Sequence, residues 1–527
     1  MQNITGISRH QSYFSTLDQD ISVDNPVRLI EMFVEKLDLE KMGFGNLAHK
    51  SEGRPPYKAQ LLLKIYLYGY LNKIRSSRCL EKESKRNIEL QWLLQTLTPN
   101  YHTIADFRKV HAKGLGNMFK IYVHFLNEFN LIGKEIIGVD GSKFRAQNSK
   151  KSNYNQKKID KHSAFIEEKT SKYLQEMEAL DKEESSSDEL QIKKEKVQES
   201  LAKLKDRTIK YDILQTQLNA TTDKQISTVD IDSRSILITK SIVEVAYNVQ
   251  NVVDEKYKLI VHTEATNTND GKALHRAASQ AKQNIGLQQT DTVMILADKG
   301  YHTGGELKQC QADNMITHVA YKEQPSVKHI ANEFLVESFV YNKATDTYTC
   351  PANAVLTTLG TWYNKKGEAN ETSYRFKTYR TNTCKTCPLK SKCTKLPKRI
   401  IQRSEYQDAV DINDNNIKAN PQYYKQRQGI CEHPFGVLKR QWSYTYTLVK
   451  GLQKVNGEMN LIMFCYNFMR TKNILGFDKM LAAIQNWQPN YEQIVGLLKT
   501  AIVKVIYSQN KSAYFFTTKR LVFLQAC

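Results

Sequence analysis

Two aspartates stand in sequence contexts that suit chemistry on a charged substrate. Asp140 closes the apolar run 136–139, and Asp298 closes the apolar run 292–297. In α/β sheets, ligands sit beyond the carboxyl ends of strands, so an acid at that position points into a site. Many such acids only cap the next turn, and the two runs alone leave both interpretations open.

A third acid, Glu432, lies in a helical segment seven residues before Lys439. That spacing predicts one shared helix face, with Phe435 between the two charged groups and about 10 Å separating them. On that face a carboxylate can hold a metal ion while the ammonium binds a phosphate. The alternative is a surface pair beside a buried Phe435, in a helix that Pro434 interrupts.

Four of the nine cysteines gather in one part of the chain, at Cys350, Cys384, Cys387 and Cys393. The Cys-x2-Cys pair places two thiolates on one tight turn, and the other two complete a tetrahedral set. The prediction is a structural zinc ion that stabilises a small module, with unmetallated thiols as the alternative. The remaining cysteines are isolated and are expected to be reduced, as inside a cell.

The same region is the most basic part of the chain. Residues 375–403 contain ten Lys or Arg and no Asp or Glu. Such a stretch is typical of a DNA contact, although a solvated basic loop has the same composition. The candidate contacts inside it are Lys385, Lys390, Lys392 and Lys395.

Composition points the same way. The 527 residues carry 76 Lys+Arg against 55 Asp+Glu, a formal charge of +21, and 40% are hydrophobic. A folded protein with this excess of positive charge is expected to bind a polyanion, usually nucleic acid, or else to be a merely basic enzyme. No apolar run approaches the roughly 18 residues of a membrane-spanning helix, and residues 1–14 contain no apolar signal region.

Helices must position the first part of the chain. Residues 26–130 carry helical periodicity broken by turns, and Thr103 is predicted to cap a helix over 104–111 that presents Arg108 and Lys109. Short helices with basic ends are typical of a helix-turn-helix DNA reader. A small helical bundle with ordinary surface lysines fits the same residues.

Strands interleaved with helices follow, which predicts an α/β sheet. The predicted strands end at Asp140 and Asp298 or cover 243–253, 259–263 and 316–321, with a helix over 271–283 and helical structure again over 415–475. Within 150–219, apolar residues recur every seven positions in two runs, which predicts an antiparallel helical hairpin inserted into the sheet domain.

The order of these acids, together with the segment Tyr424-x2-Arg427-x4-Glu432-x6-Lys439, resembles the DDE transposases of bacterial insertion sequences. The closest subgroup has an N-terminal helical DNA-binding region and a Tyr-Arg-Glu-Lys helix. The segments 139–146, 297–301, 53–56 and 68–70 are also similar to that family, so the likeness extends to about residue 475. The four-residue gap between Arg427 and Glu432 departs from the usual three.

The resemblance implies a ribonuclease-H-like mixed sheet flanked by helices. It divides the chain into an N-terminal all-α DNA-binding domain over 1–130 and a catalytic domain over 131–475. The helical hairpin over 150–219 and a Cys-rich basic insertion over 330–405 interrupt the catalytic domain. The tail over 476–527 matches no fold that we can assign from the sequence.

The resemblance also implies a mechanism. Asp140, Asp298 and Glu432 would hold two Mg²⁺ or Mn²⁺ ions, while Arg427, Lys439 and Tyr424 contact DNA. The implied partners are the terminal inverted repeats of an element, target DNA and a second copy of the chain, with no membrane, in the bacterial cytoplasm at the nucleoid. Asp230, Asp232 and Asp270 are expected to serve turns or to lie behind the site. The alternatives are a non-catalytic DNA-binding protein and a nuclease that cuts without joining.

Overall fold

The structure is a computed structural model of the 527-residue chain. It describes residues 10–12, 14–45, 55–183, 188–221, 223–238, 242–321, 330–365 and 374–491. The link 184–187 between the two predicted hairpin helices, residues 53–54 of the family-like N-terminal segment, and the tail from residue 492 lie outside these ranges.

The helices and strands alternate in the order expected from the sequence, with long helices at both ends of the sheet domain. The helices are α1 (Pro26–Glu35), α2 (Ala59–Leu71), α3 (Ser77–Ser84), α4 (Ile88–Leu93), α5 (Tyr101–Val110), α6 (Ala112–Glu128), α7 (Gln156–Lys182), α8 (Asp188–Ala220), α9 (Leu274–Asn284), α10 (Gly304–Ala312), α11 (Lys390–Cys393), α12 (Gln407–Ala419), α13 (Gln422–Gly436), α14 (Leu452–Leu475) and α15 (Phe477–Asn486). The strands are β1 (Ile136–Arg145), β2 (Asn153–Asn155), β3 (Gln225–Ser227), β4 (Arg234–Leu237), β5 (Val243–Asp254), β6 (Ile260–Thr266), β7 (Val293–Ala297), β8 (Met315–Val319), β9 (Val340–Asn342), β10 (Thr347–Thr349), β11 (Val355–Leu356), β12 (Tyr363–Lys365), β13 (Tyr374–Tyr379) and β14 (Ile401–Ser404).

A mixed sheet forms the centre of the molecule. Strand β5 pairs antiparallel with β1 on one edge and with β6 and β4 on the other, and β7 and β8 continue from β1 in parallel. β5 is buried from residue 245 to its end. Because alternate strand residues point to opposite faces, continuous burial means that both faces of the sheet are covered. The predicted α/β class, a mixed sheet flanked by helices, is confirmed, and its ribonuclease-H-like assignment stays a prediction.

The N-terminal helices share one continuous core with this sheet domain. Helix α6 packs along α14, and the rings of Phe33 and Tyr122 lie 5.1 Å and 4.8 Å from the ring of Phe464. Trp487 of the segment after α15 stacks on Phe33 at 6.0 Å. The helical region is therefore fixed against the sheet domain by an aromatic interface.

The hairpin insertion is a pair of long helices, as the seven-residue spacing predicts. In α7 and α8 the heptad residues Ile159, Ile166, Val197, Leu204 and Tyr211 are buried, although both helices are otherwise largely exposed. The two helices contact each other along their length, and the short β2–β3 ladder lies at their base.

In the part of the chain that the structure describes, no helix combines the length and apolarity needed to span a membrane.

The Cys-rich insertion folds as two three-stranded sheets, β9–β11 and β12–β14, around a core of its own. Tyr348, Tyr379 and Ile401 are buried in that core, and Cys350 and Cys393 pack against it. Apolar packing therefore holds this module together alongside its cysteines.

Candidate active site

Asp140 and Asp298 come from neighbouring parallel strands at the same level of the sheet. The β1–β7 register ends with Val139 opposite Ala297, and each aspartate is the next residue. Adjacent strands lie about 4.8 Å apart, so the two carboxylates begin from neighbouring backbone positions.

The sequence predicted that the first strand ends at Asp140, and this is wrong. β1 continues to Arg145 because its other edge stays paired with β5, whereas β7 stops at Ala297. The two strands therefore part at the acids, which opens space at this edge of the sheet.

Local backbone groups fix both carboxylates. Asp140 Oδ1 accepts a hydrogen bond from the N–H of Gly141 at 2.9 Å. Asp298 Oδ1 accepts one from the N–H of Gly300 at 2.8 Å and so caps a 3-10 turn over Lys299–Tyr301. These bonds leave the remaining carboxylate lone pairs available to a ligand.

The negative charge at this edge is only partly compensated by neighbouring cations. Burial raises the pKa of Asp140 to about 6; the guanidinium of Arg427 opposes that shift, while the carboxylates of Asp298 and Asp270 add to it. Like charges held together disfavour ionisation unless a cation joins them. The site therefore has the electrostatic character of a cation-binding site.

Asp270 is a third acid beside this pair, although the sequence predicted only a role in a turn or behind the site. Its carboxylate accepts hydrogen bonds from Lys143 Nζ at 3.0 Å and from the amides of Asn248 and Gln250 at 2.7 Å each. A Cβ at Gly141 would collide with the Asp270 carboxylate, so the glycine after Asp140 is a steric requirement. Only the tertiary fold brings residues 140 and 270 together, and no local pattern in the chain signals it.

Two other acids that the sequence set aside hold the start of α14. Asp230 accepts hydrogen bonds from the Tyr247 hydroxyl at 2.7 Å and from the N–H of Gly451 at 3.0 Å. Asp232 accepts from the N–H of Leu452 at 2.8 Å. Their bonds match the turn role expected for them.

Helix α13 lies over β1 and carries the remaining predicted residues. Gly138 of β1 admits this helix, because a Cβ there would collide with the Cys431 thiol. Arg427 is buried in this contact, and its Nε has no hydrogen-bond partner among the described residues. Tyr424 is half exposed, with its ring 5.7 Å from the Arg427 guanidinium.

Glu432 follows Cys431 on α13 but is exposed. Among the residues that the structure describes, no three His, Cys, Asp or Glu side chains lie close enough to hold one metal ion. Arg427, Asp298 and Asp270 lie close enough to Asp140 for their charges to act on it, and the place of Glu432 as a third ligand stays a prediction.

The shared helix face predicted for Glu432 and Lys439 is wrong. α13 ends at Gly436 and is followed by a π-helical turn over Val437–Gln441, which changes the angular spacing between the two residues. Lys439 Nζ instead donates a hydrogen bond to the carbonyl of Lys143 at 2.7 Å. Burial lowers the pKa of Lys439 to about 8, and neighbouring Lys143 adds to that shift.

Arg108 does not face solvent, contrary to the sequence interpretation. It is buried, its Nη1 donates to the Tyr70 hydroxyl at 2.6 Å, and it lies 3.6 Å from the Glu458 carboxylate. A guanidinium committed inside the protein cannot also contact a surface phosphate. Lys109 is exposed and pairs with Asp106 at 2.9 Å. The helix cap is Asn100, whose side chain accepts from the N–H of Thr103; Thr103 was the predicted cap.

The basic stretch divides into paired and unpaired cations. Arg375, Lys377 and Arg403 form ion pairs with Glu405, with Asp346, and with Asp408 and Asp411. In the described part of the chain no ion pair involves the four lysines proposed from the sequence, which lie on or near the surface: Lys385, Lys390, Lys392 and Lys395.

The four cysteines lie near one another without forming a metal cluster. Burial raises the pKa of the Cys393 thiol, and the charges of Cys384, Cys350 and Cys387 contribute to the rise. The absence of a metal-holding group among the described residues applies to these thiols as well. Structural zinc therefore stays a prediction from the sequence.

Two protein-family models match the chain. A transposase domain model (DUF772) matches residues 15–110, and a transposase DDE domain model matches residues 349–471. The second includes Glu432, while Asp140 and Asp298 lie between the two matches. These findings confirm the resemblance to a DDE transposase of the insertion-sequence type and the expectation of an enzyme.

Comparisons with whole proteins add little. No curated protein matches the chain. Among solved structures, a piggyBac transposase in a synaptic complex with hairpin DNA, determined by cryo-EM, is similar at 8% identity with a TM-score of 0.29. That match covers 90% of this chain and 82% of the other, and at that score it supports no statement about this chain.

Proposed function

We propose that this transposase cleaves phosphodiester bonds at the ends of a DNA element and joins the freed 3′ hydroxyls to target DNA. Asp140, Asp298 and Glu432 are the proposed carboxylates. The observation that carries the proposal is the placement of Asp140 and Asp298 at the same level of a parallel strand pair, where the strands separate.

The acid pair fits a divalent cation. Asp140 and Asp298 supply hard oxygen donors; burial raises the pKa of Asp140, Arg427 opposes that rise, and Asp298 adds to it. Glu432 is the proposed third ligand. Two bound Mg²⁺ or Mn²⁺ ions would activate the attacking oxygen and stabilise the leaving one in an in-line displacement.

The chain's own residues prepare the site for a phosphate. Arg427 places a buried positive charge next to Asp140, and Tyr424 lies across its guanidinium. Asp270 fixes the ammonium of Lys143 on the other side. The unpaired lysines of 385–395 are proposed to bind the DNA backbone further away, with two chains pairing the two element ends.

The direct test is cleavage of the DNA that flanks the coding region. Asp140→Asn, Asp298→Asn and Glu432→Gln should each reduce cleavage by at least about 10³-fold, because residues that act as one catalytic unit lose most of their activity when any one of them is removed. Asp206→Asn is the matched control, because Asp206 is an exposed acid on α8. Wild-type cleavage by all three variants would show that the catalytic assignment is wrong.

Joining is tested separately with a pre-cut end that carries a 3′ hydroxyl. Joined product supports a transposase that completes both steps. Cleavage without joining identifies a nuclease, and binding without either reaction identifies a DNA-binding protein that has kept the fold.

A further inference from the structure

A groove of about 810 Å³ lies beside the acid site and reaches the Cys-rich insertion. Gly271 and Gly300, which follow Asp270 and Asp298 closely in the chain, line one end of it. The base of the helical hairpin and strand β4 form a second wall, and β13, β14 and the start of α12 form a third. Three separate parts of the chain therefore meet in one groove next to the acids.

Aromatic rings line the wall that faces the acid site. Tyr374 and Phe376 alternate on β13 and so point to the same face, and Tyr406 follows β14. All three are half-buried, which leaves part of each ring open to the groove. Tyr363, directly opposite Phe376 on the paired strand β12, packs beside it with the ring centroids 5.8 Å apart.

Positive charge accompanies these rings. Lys272 and Lys365 line the groove, are exposed, and form no ion pair within the described residues. Among the described lining residues the sole acid is Asp223, and Arg234 pairs with it at 3.1 Å. The groove therefore presents two ammonium groups without a carboxylate partner among the described residues, and that of Lys365 lies 5.6 Å from the centroid of the Tyr374 ring.

Rings and cations together select a nucleic-acid strand whose bases are unpaired. Bases inside a duplex are already stacked on their neighbours, whereas every base of a single strand offers a free face to an aromatic side chain. A basic groove that tracks the backbone supplies the remaining affinity.

We propose that this groove binds a single DNA strand leading away from the phosphodiester held at Asp140 and Asp298. Its bases stack on Tyr374, Phe376 and Tyr406, and its phosphates pair with Lys272 and Lys365. The origin of that strand rests on the function proposed above, whereas its binding can be measured without any cleavage.

The test is fluorescence anisotropy of the full chain in EDTA, with a labelled mixed-sequence single strand and the matching duplex. Tyr374→Leu with Phe376→Leu should weaken single-strand binding about tenfold or more, with the duplex affected far less. Lys272→Gln with Lys365→Gln should reduce the slope of log affinity against log salt concentration for the single strand by about 1.4, or about 0.7 for each phosphate contact.

Two matched controls lie outside the groove. Trp362→Leu removes an exposed ring that Arg375 and Lys377 already cover, at 5.5 and 5.1 Å. Lys205→Gln with Lys210→Gln removes two exposed charges on α8. Neither control should weaken single-strand binding as the groove variants do.

Equal losses for single strand and duplex would overturn the proposal and make the groove a duplex surface, and unchanged single-strand binding would overturn it outright. If the leucine variant melts early, cross-linking of bromodeoxyuridine DNA to the wild-type chain decides. Cross-links at Tyr374, Phe376 or Tyr406 support the groove, and cross-links confined elsewhere refute it. The two proposals are tested separately with Asp140→Asn. A variant that still binds the single strand but cannot cleave shows that strand binding does not depend on cleavage.

Discussion

Two clusters of buried charge in this molecule are built in opposite ways. Glu458, fully buried on α14, accepts hydrogen bonds from Arg75 at 2.9 Å, from the Tyr70 hydroxyl at 3.1 Å and from the N–H of Leu448 at 2.8 Å. Burial opposes its ionisation, but Arg108 and Arg75 outweigh burial, and the pKa of Glu458 lies below its usual value.

Asp140 has the reverse balance. Burial raises its pKa to about 6, and although Arg427 faces it and Lys143 pairs with Asp270, Asp298 and Asp270 add negative charge. A charge that serves packing is neutralised by partners in the same chain. A charge left in deficit is matched by something that the chain does not contain, which is the usual mark of a functional site.

The largest expected effect is on the compensated cluster. Glu458→Gln would leave two arginines buried without their counter-ion, and removal of one partner from such a cluster costs about 3–5 kcal/mol. Thermal melting of the metal-free protein should show a large loss of stability. Glu178→Gln, which removes an exposed pair with Lys182, is the control and should change little. Similar melting of both variants would contradict the comparison.

The second effect has the opposite sign. The pKa of Asp140 is raised from 3.8 to about 6, so its ionisation favours the unfolded chain, and stability falls as the pH rises through that window. Asp140→Asn should therefore stabilise the metal-free protein by up to about 3 kcal/mol at pH 8 and hardly at all near pH 3.5. Melting curves at the two pH values check the sign of the effect. A variant less stable than the wild type at pH 8 would show that the ionised Asp140 does not destabilise the folded protein.

The third effect is stabilisation by added cation. Mn²⁺ or Mg²⁺ should raise the melting temperature of the wild type by the equivalent of about 2.7 kcal/mol at one hundred times the dissociation constant. The ion competes with the proton on Asp140, so its affinity should fall about tenfold per pH unit below 6. Asp140→Asn should abolish the shift, and an equal shift in that variant would place the ion elsewhere.

The smallest effect concerns lysines that form no ion pair with any residue the structure describes. Lys385→Gln with Lys395→Gln should reduce the slope of log affinity against log salt concentration for duplex binding by about 1.8, or about 0.9 for each phosphate contact. Lys205→Gln with Lys210→Gln, on the exposed surface of α8, is the matched control. If both pairs flatten the slope equally, the basic stretch has no special role.

Local patterns in the sequence were sufficient for several helices and strands and for two of the acids, but not for the strands of the Cys-rich insertion. The seven-residue spacing predicted α7 and α8, and the apolar runs predicted β1, β5 and β7 and placed Asp140 and Asp298 beside them. These features depend on residues near one another in the chain, where periodicity carries the information.

Features that depend on distant contacts were not predictable in this way. β1 runs past Asp140 because β5, a hundred residues later, pairs with it to Arg145. Arg108 is buried because Tyr70 and Glu458 lie on other helices. Asp270 joins the site through the fold alone, and the π-helical turn after α13 moves Lys439 without any strong local signal.

The aromatic interface between α6 and α14 has a consequence for the DNA itself. If the N-terminal helices recognise an element end, a continuous core fixes their distance and angle to Asp140 and Asp298. The protein then fixes the distance between the recognised sequence and the cleaved bond. One base pair inserted between the recognised sequence and the cut rotates the scissile bond by about 34° around the helix, since B-DNA repeats every 10–10.5 base pairs. The spacing in the element is therefore expected to tolerate little variation.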